Sequence, residues 1–237
     1  GAQTSVVTIG DSANFAADAV STQVATASTI GNGTATSDAT ATAAVEANYG
    51  LDSQAAFTVG TDAVISGVGR VTNTATATNV DESATATAGS TTSDIAGVQT
   101  TANLTVGTDA TLISGTASAT QTATATSVGL GAAASPNDVL SNAQALADTI
   151  EGIDIGGADL VVGTTASVRA AAASTNTATA NSVDGDATAA VDINSTSGLY
   201  DGDVTIGTAG VIDADASSSS SANASTVDAS TVAVTAT

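Results

Sequence analysis

The chain has 237 residues, with 23 acids, two bases (Arg70 and Arg169), no His, Cys, Met or Trp, and a formal net charge of −21. Without clustered Lys or Arg it cannot grip nucleic-acid phosphates or an anionic membrane surface, and no stretch approaches the roughly 18 apolar residues of a membrane-spanning helix. The missing His and Cys remove the commonest general bases, metal imidazoles and thiol nucleophiles, so an enzyme is not expected.

The first unit opens with Val7-Thr8-Ile9-Gly10, and the phrase then returns as Phe57-Thr58-Val59-Gly60, Leu104-Thr105-Val106-Gly107, Leu160-Val161-Val162-Gly163 and Val204-Thr205-Ile206-Gly207. Apolar residues at alternate positions predict a strand with one buried face. Successive glycines are 50, 47, 56 and 44 residues apart. Each glycine is followed by another apolar residue (Phe15, Ile65, Leu112-Ile113, Val168, Ile212), expected to start a second short strand after a corner. A further anchor (Ile30, Val80, Val128, Val183, Val227) lies 20 or 21 residues beyond each glycine. A third landmark, Gly50-Leu51, Gly97-Val98, Gly152-Ile153 and Gly198-Leu199, precedes the next phrase by 9 to 11 residues.

Three landmarks kept in order over five units mean one structural element reused. That regularity overrides a composition and charge that would otherwise point to disorder. The predicted fold is an all-β solenoid, a single domain over 1–237 with units at about 1–50, 51–97, 98–152, 153–198 and 199–237. Each unit is expected to make two or three coils, and a single unit gains its core only by stacking on others. A β-sandwich of short strands is the alternative, though it leaves the regular period unexplained.

Between the landmarks run alternating strips: Thr72-Asn73-Thr74-Ala75-Thr76-Ala77-Thr78, Thr120 to Thr126, and Thr175 to Thr179. Thr favours strands, and strict alternation makes one Thr face and one Ala face. Ala is expected inward, because a narrow core requires small side chains. The valine anchor, however, shares the parity of the threonines, so it can join the core only past a bulge or if Thr turns inward.

The longest unit contains Ser135-Pro136-Asn137-Asp138, a helix-start pattern. Val139, Leu140, Ala143, Leu146, Ala147 and Ile150 then fall on one helical face. An amphipathic helix over 136–150, packed on the solenoid's side, is predicted.

Carboxylates spaced by two residues at turns, Asp184 with Asp186 and Asp201 with Asp203, are candidate Ca²⁺ ligands; acidic turns that keep the surface soluble are the alternative. No other cofactor is expected. The start at Gly1-Ala2-Gln3 without Met matches a chain from which a leader has been removed. With the absence of Lys and sulfur and the wealth of Thr and Ser, it predicts an extracellular or cell-surface location. The first unit begins almost directly at Val6 and Ile9, and the last ends in alternating Val232-Ala233-Val234. Uncapped strand-forming ends predict assembly with copies of the same chain through these residues. The second functional expectation is a flat array of outward threonines, Thr74, Thr76 and Thr78 aligned with Thr122, Thr124 and Thr126, of the sort that ice-binding solenoids present.

The Val-Thr-Ile-Gly and Thr-Ala-Thr-Ala phrases, recurring over nearly the whole chain, resemble those of bacterial β-solenoid surface proteins, similar to filamentous haemagglutinin-type adhesins and fibre subunits. The resemblance implies architecture and surface location and assigns no functional residue.

Overall fold

The computed structural model describes residues 6–31, 36–81, 83–109, 111–129, 139–200, 202–227 and 231–237. Every strand pairs in parallel, and no helix is present among these residues. Three sheets of five strands run along the molecule. The first contains the short phrases β1 (Val7–Ile9), β4 (Phe57–Val59), β7 (Leu104–Val106), β10 (Leu160–Val162) and β13 (Val204–Ile206). The second is built from β2 (Asn14–Ile30), β5 (Val64–Asp81), β8 (Leu112–Gly129), β11 (Ser167–Val183) and β14 (Val211–Val227). The third comprises β3 (Thr36–Ser53), β6 (Ser83–Thr100), β9 (Leu140–Asp154), β12 (Asp186–Tyr200) and the shorter β15 (Val232–Ala236).

The chain is therefore a β-solenoid, and its all-parallel ladders exclude the sandwich. Each repeat makes one coil rather than two or three. The Thr-Ala strips carry a single strand through 17 or 18 residues, well beyond the usual 3–10. The landmarks stack in register: Ile9 beside Val59, Phe15 beside Ile65, Leu51 beside Val98 and Ile30 beside Val80.

Alanine is the inward residue of the strips. Ala75, Ala77, Ala123, Ala125, Ala178 and Ala180 are buried against Ala86, Ala88, Ala143 and Ala187 of the third sheet. Near the short sheet the same two long sheets enclose Phe57, Ile65, Leu104, Ile113, Ile153 and Leu160. Side-chain volume thus tapers the cross-section, thick where three sheets meet and thin at the far margin. The valine anchors do not enter the core. They continue the outward Thr parity and stack as Ile30, Val80, Val128, Val183 and Val227, with Ile30 78% exposed. No bulge is needed to reconcile them with the strip.

Between these two cores the sheets come into backbone contact. A methyl group on Gly198 would lie 2.7 Å from the Asp215 amide nitrogen. Gly50, Gly97 and Gly152 abut the backbones of Val68, Thr116 and Ala171 still more closely. The third sequence landmark is therefore a pinch line running through the stack.

Polar side chains are also enclosed. Asn73, Gln121 and Asn176 form one inward column, all at most 1% exposed. Asn73 Nδ2 donates to Thr91 O at 2.6 Å and Thr92 Oγ1 at 3.1 Å, and Ser90 Oγ donates to Gln121 Oε1 at 2.6 Å. Such bonds give the buried amide nitrogens partners, while Asn73 Oδ1 and Asn176 Oδ1 are buried without one among the described residues.

The helix expected over 136–150 is not formed. Ser135 and Pro136 lie outside the described residues, while Leu140–Asp154 is β9, paired with β6 and β12. Val139, Ser141, Ala143, Ala145 and Ala147 are buried at alternate positions, whereas Leu140 is exposed and Leu146 half-buried. The spacing that looked helical had counted the two outward leucines with the inward alanines.

Candidate assembly interface

In a stack of coils every inward apolar residue is covered by the coils above and below, except at the two terminal faces. Strands β1, β2 and β3 lie at one edge of their sheets, and β13, β14 and β15 at the other. At the β13 face Val204 and Ile206 are 45% and 49% exposed. Their column neighbours Leu160 and Val162 are 0% and 1% exposed. Phe15 at the opposite face is 39% exposed, while its neighbour Ile65 is fully buried. Among the described residues the core is thus left partly open at these two faces, where the outermost strands have a neighbour on one side.

The residues expected to mediate assembly are divided between these faces. Val6 is exposed and Ile9 partly buried on the β1 side. Val232 and Val234 stand in the inward columns of Ala187 and Ala189 on the β15 side, half-exposed because none of the described residues lies over them. Sequence reasoning missed Phe15, Val204 and Ile206. Val204 and Ile206 align with Leu104 and Val106, and Phe15 aligns with Ile65 and Ile113, which marks all three as inward; their place in the outermost coils leaves them open.

The described candidate Ca²⁺ ligands, Asp184, Asp186 and Asp203, form no group of three. Asp184 occupies a turn at φ 64°, Asp186 Oδ1 accepts from the Thr231 amide at 2.7 Å and so docks the start of β15, Asp203 precedes β13, and Asp201 lies outside the described residues. Among the described residues no three acidic groups form a set able to hold a metal ion.

Tyr49 and Asp94 form a perturbed pair of titratable groups. Tyr49 OH donates to Asp94 Oδ2 at 2.5 Å, tying β3 to β6 in the next coil. Burial raises the Asp94 carboxyl above its ordinary range, with Asp154 and Asp148 adding repulsion against the bond's opposing effect. Burial, then the Asp94 bond and charge, raises the Tyr49 phenol as well. The pair joins one coil to the next.

On the outer face of the second sheet the threonines form columns: Thr72, Thr120 and Thr175; Thr74, Thr122 and Thr177; Thr76, Thr124 and Thr179. Thr22 and Thr26 extend two of them into the first coil, with Val24 between. Ser219, Ser221 and Asn223 replace them in the last. Parallel strand geometry sets this lattice at about 4.8 Å between coils and about 6.6 Å along a strand.

No protein-family model matches the chain, and no curated protein or solved structure is detectably similar to it.

Proposed function

We propose that this protein is a secreted structural subunit without enzymatic activity that stacks end to end with copies of itself into an extracellular filament or surface layer. The observation that carries the reading is the contrast along one column, where Leu160 and Val162 are sealed and Val204 and Ile206 stand about half open. Covering such residues is favourable at about 25 cal/mol per Å² of apolar surface. The unpaired edges around them gain parallel hydrogen bonds in the same step. A contact between two different faces of one molecule does not close on itself, so it propagates.

Negative-stain electron microscopy of the purified chain tests this directly. Uniform filaments are expected for the native sequence. Ile206→Asp, which places a charge at the junction on a side chain already half in water, is expected to leave folded monomers. Monomeric native protein at high concentration under every condition of pH and salt would overturn the reading.

A second reading rests on the in-register threonine columns: a regular hydroxyl lattice able to bind ice or another ordered surface. It predicts shaped ice crystals and thermal hysteresis in the presence of the protein, and Thr122→Tyr should abolish both.

A further inference from the structure

The internal pairing fixes which residues would meet if two copies stacked without a change of phase. Asn14, Val64, Leu112, Ser167 and Val211 share one column, so each position of β14 has a counterpart in β2. Under that phase Ile212, Ala214, Ala216, Ala222 and Ala224 would lie on Phe15, Ala17, Ala19, Ala25 and Ala27 of a second copy. Large residues meet large ones at the thick margin, and alanine meets alanine at the thin one. A junction in this register thus repeats the packing already present between internal coils. A one-residue slip would turn the strips over and set outward serines against the alanine core.

The same phase has an electrostatic consequence. Asp18, Val68, Thr116, Ala171 and Asp215 form one outward column. Asp18 and Asp215 are exposed at its two ends, with three uncharged residues between them. Stacking brings Asp215 of one copy beside Asp18 of the next, roughly 4.8 Å apart along the axis. This is the one acid-on-acid pairing that β14 and β2 make.

The charges around it can be placed. Asp213 lies two positions from Asp215 on its own strand. Arg169, the column neighbour of Asp213, sits diagonally to Asp215 on β11. Arg70, the column neighbour of Val20, sits diagonally to Asp18 on β5. From the third sheet, Gly50 and Gly198 abut Val68 and Asp215 through backbone, so no charge faces the pair from that side. The chain's only two bases thus stand one coil back from the junction, Arg169 sharing a cleft with Asp213 and Asp215, while the two acids meet directly.

We infer that end-to-end stacking of this protein is gated by the Asp18–Asp215 juxtaposition, so that copies associate when that charge is neutralised or screened and separate when it is not. The inference rests on the stacking reading above. Two facing carboxylates relieve their repulsion by sharing a proton, so assembly takes up protons. It strengthens as the pH falls into the carboxylate range and weakens as the pH rises through it. Salt acts in the same direction as acid by shortening the range of the repulsion.

The test is the critical concentration for filament formation by the whole chain, measured by sedimentation and checked by electron microscopy. Conditions are pH 5 and pH 7.5, each at low and high NaCl, for the native chain, Asp18→Asn, Asp215→Asn and Asp215→Arg. The native chain is expected to need a several-fold lower concentration at pH 5 than at pH 7.5 in low salt. Either Asn variant is expected to assemble at pH 7.5 at about a five- to tenfold lower concentration than the native chain, as one removed repulsion at this distance implies. Asp215→Arg should assemble at a lower concentration than the native chain at pH 7.5 and should reverse the salt trend, needing more protein at high NaCl than at low, because the facing charges now attract. Because both residues are exposed in the monomer, unchanged circular dichroism is expected for all three variants. Filaments whose critical concentration ignores these substitutions, whatever its dependence on pH, would overturn the gate and leave stacking intact. Absence of filaments in every variant and condition would overturn both.

Discussion

The pinch line makes a sharp demand on a single methyl group. Gly97 and Gly89 lie eight positions apart on β6, yet an added Cβ would meet very different surroundings. At Gly89 the nearest atom is Thr42 Oγ1 at 3.9 Å. At Gly97 the methyl would sit 2.7 Å from the Gly115 carbonyl carbon and the Gly152 carbonyl oxygen, and nearer still to the Thr116 amide. Ordinary contact begins at 3.4 Å, so these backbones would have to withdraw by at least 0.7 Å (3.4 − 2.7). They belong to hydrogen-bonded strands and cannot move singly. Opening the sheets by that amount forfeits a quarter to a half of the dispersion energy between the facing atoms nearby. Val71, Ile95 and Ile150, packed beside the pinch, would lose most. Overpacking of this kind costs about 1–3 kcal/mol, and the rigid neighbours put Gly97→Ala at the upper end, about 3 kcal/mol. Gly89→Ala has room and lowers the entropy of the unfolded chain, so it is expected to be neutral or to stabilise by about 0.5 kcal/mol. Urea unfolding followed by far-ultraviolet circular dichroism, with both variants against the native chain, measures the difference. A Gly97→Ala midpoint within error of Gly89→Ala would refute the claim that the sheets touch there.

Two further outcomes are expected. Asp94→Asn keeps the bond from Tyr49 and removes a carboxylate whose ionisation burial opposes. Because the folded value is raised, the native contribution is fully present below the ordinary carboxylate value and is lost as the pH rises through the folded one. The variant should therefore raise the unfolding midpoint at pH 7 and leave it nearly unchanged at pH 3, and equal effects at both would contradict the assignment. Gln121→Leu deprives Ser90 and Thr92 of a shared partner in the core and is expected to cost about 1–2 kcal/mol. Adding Ser90→Ala and Thr92→Val should recover most of that loss, whereas strictly additive losses would show that the three do not act together.

Much of this architecture was legible in the order of residues. Alternation in Phe57-Thr58-Val59 and in the Thr-Ala strips specified strands and their faces, and the glycine spacing specified five units. The single coil per repeat was harder to see, because alanine is apolar yet carries little signal beside leucine or valine. Counting Ala145 with Ala143 and Ala147 as core would have marked β9 as a strand, whereas passing over it and grouping Leu140 and Leu146 with the other alanines suggested a helix. The glycines at 50, 97, 152 and 198 stood out as landmarks, but a close approach between two sheets involves residues some 20 positions away in the chain, which local pattern does not reveal. The open faces followed the same logic. Val232 and Val234 are visible as a terminal alternation, whereas Phe15 and Ile206 become exposed only because of where their coils fall in the stack.

The tapered section also determines how a stack of these molecules would bear load. Hydrogen bonds between coils lie along the stacking axis, and β5 faces β8 over 18 successive positions. An even axial pull is divided among all of those bonds at once instead of opening them one after another. Bending is different, because strands of 17 residues make the section about 55 Å wide while the facing sheets are only about 10 Å apart. Resistance to bending grows with the square of the dimension in the bending plane, so the ratio of width to thickness makes a roughly thirtyfold difference between the two directions. A stack of these coils would behave as a ribbon that curls readily through its thin direction and stays straight across its width. Its least padded line would be the glycine pinch, where the backbones of the two sheets meet with no side chain between them to compress.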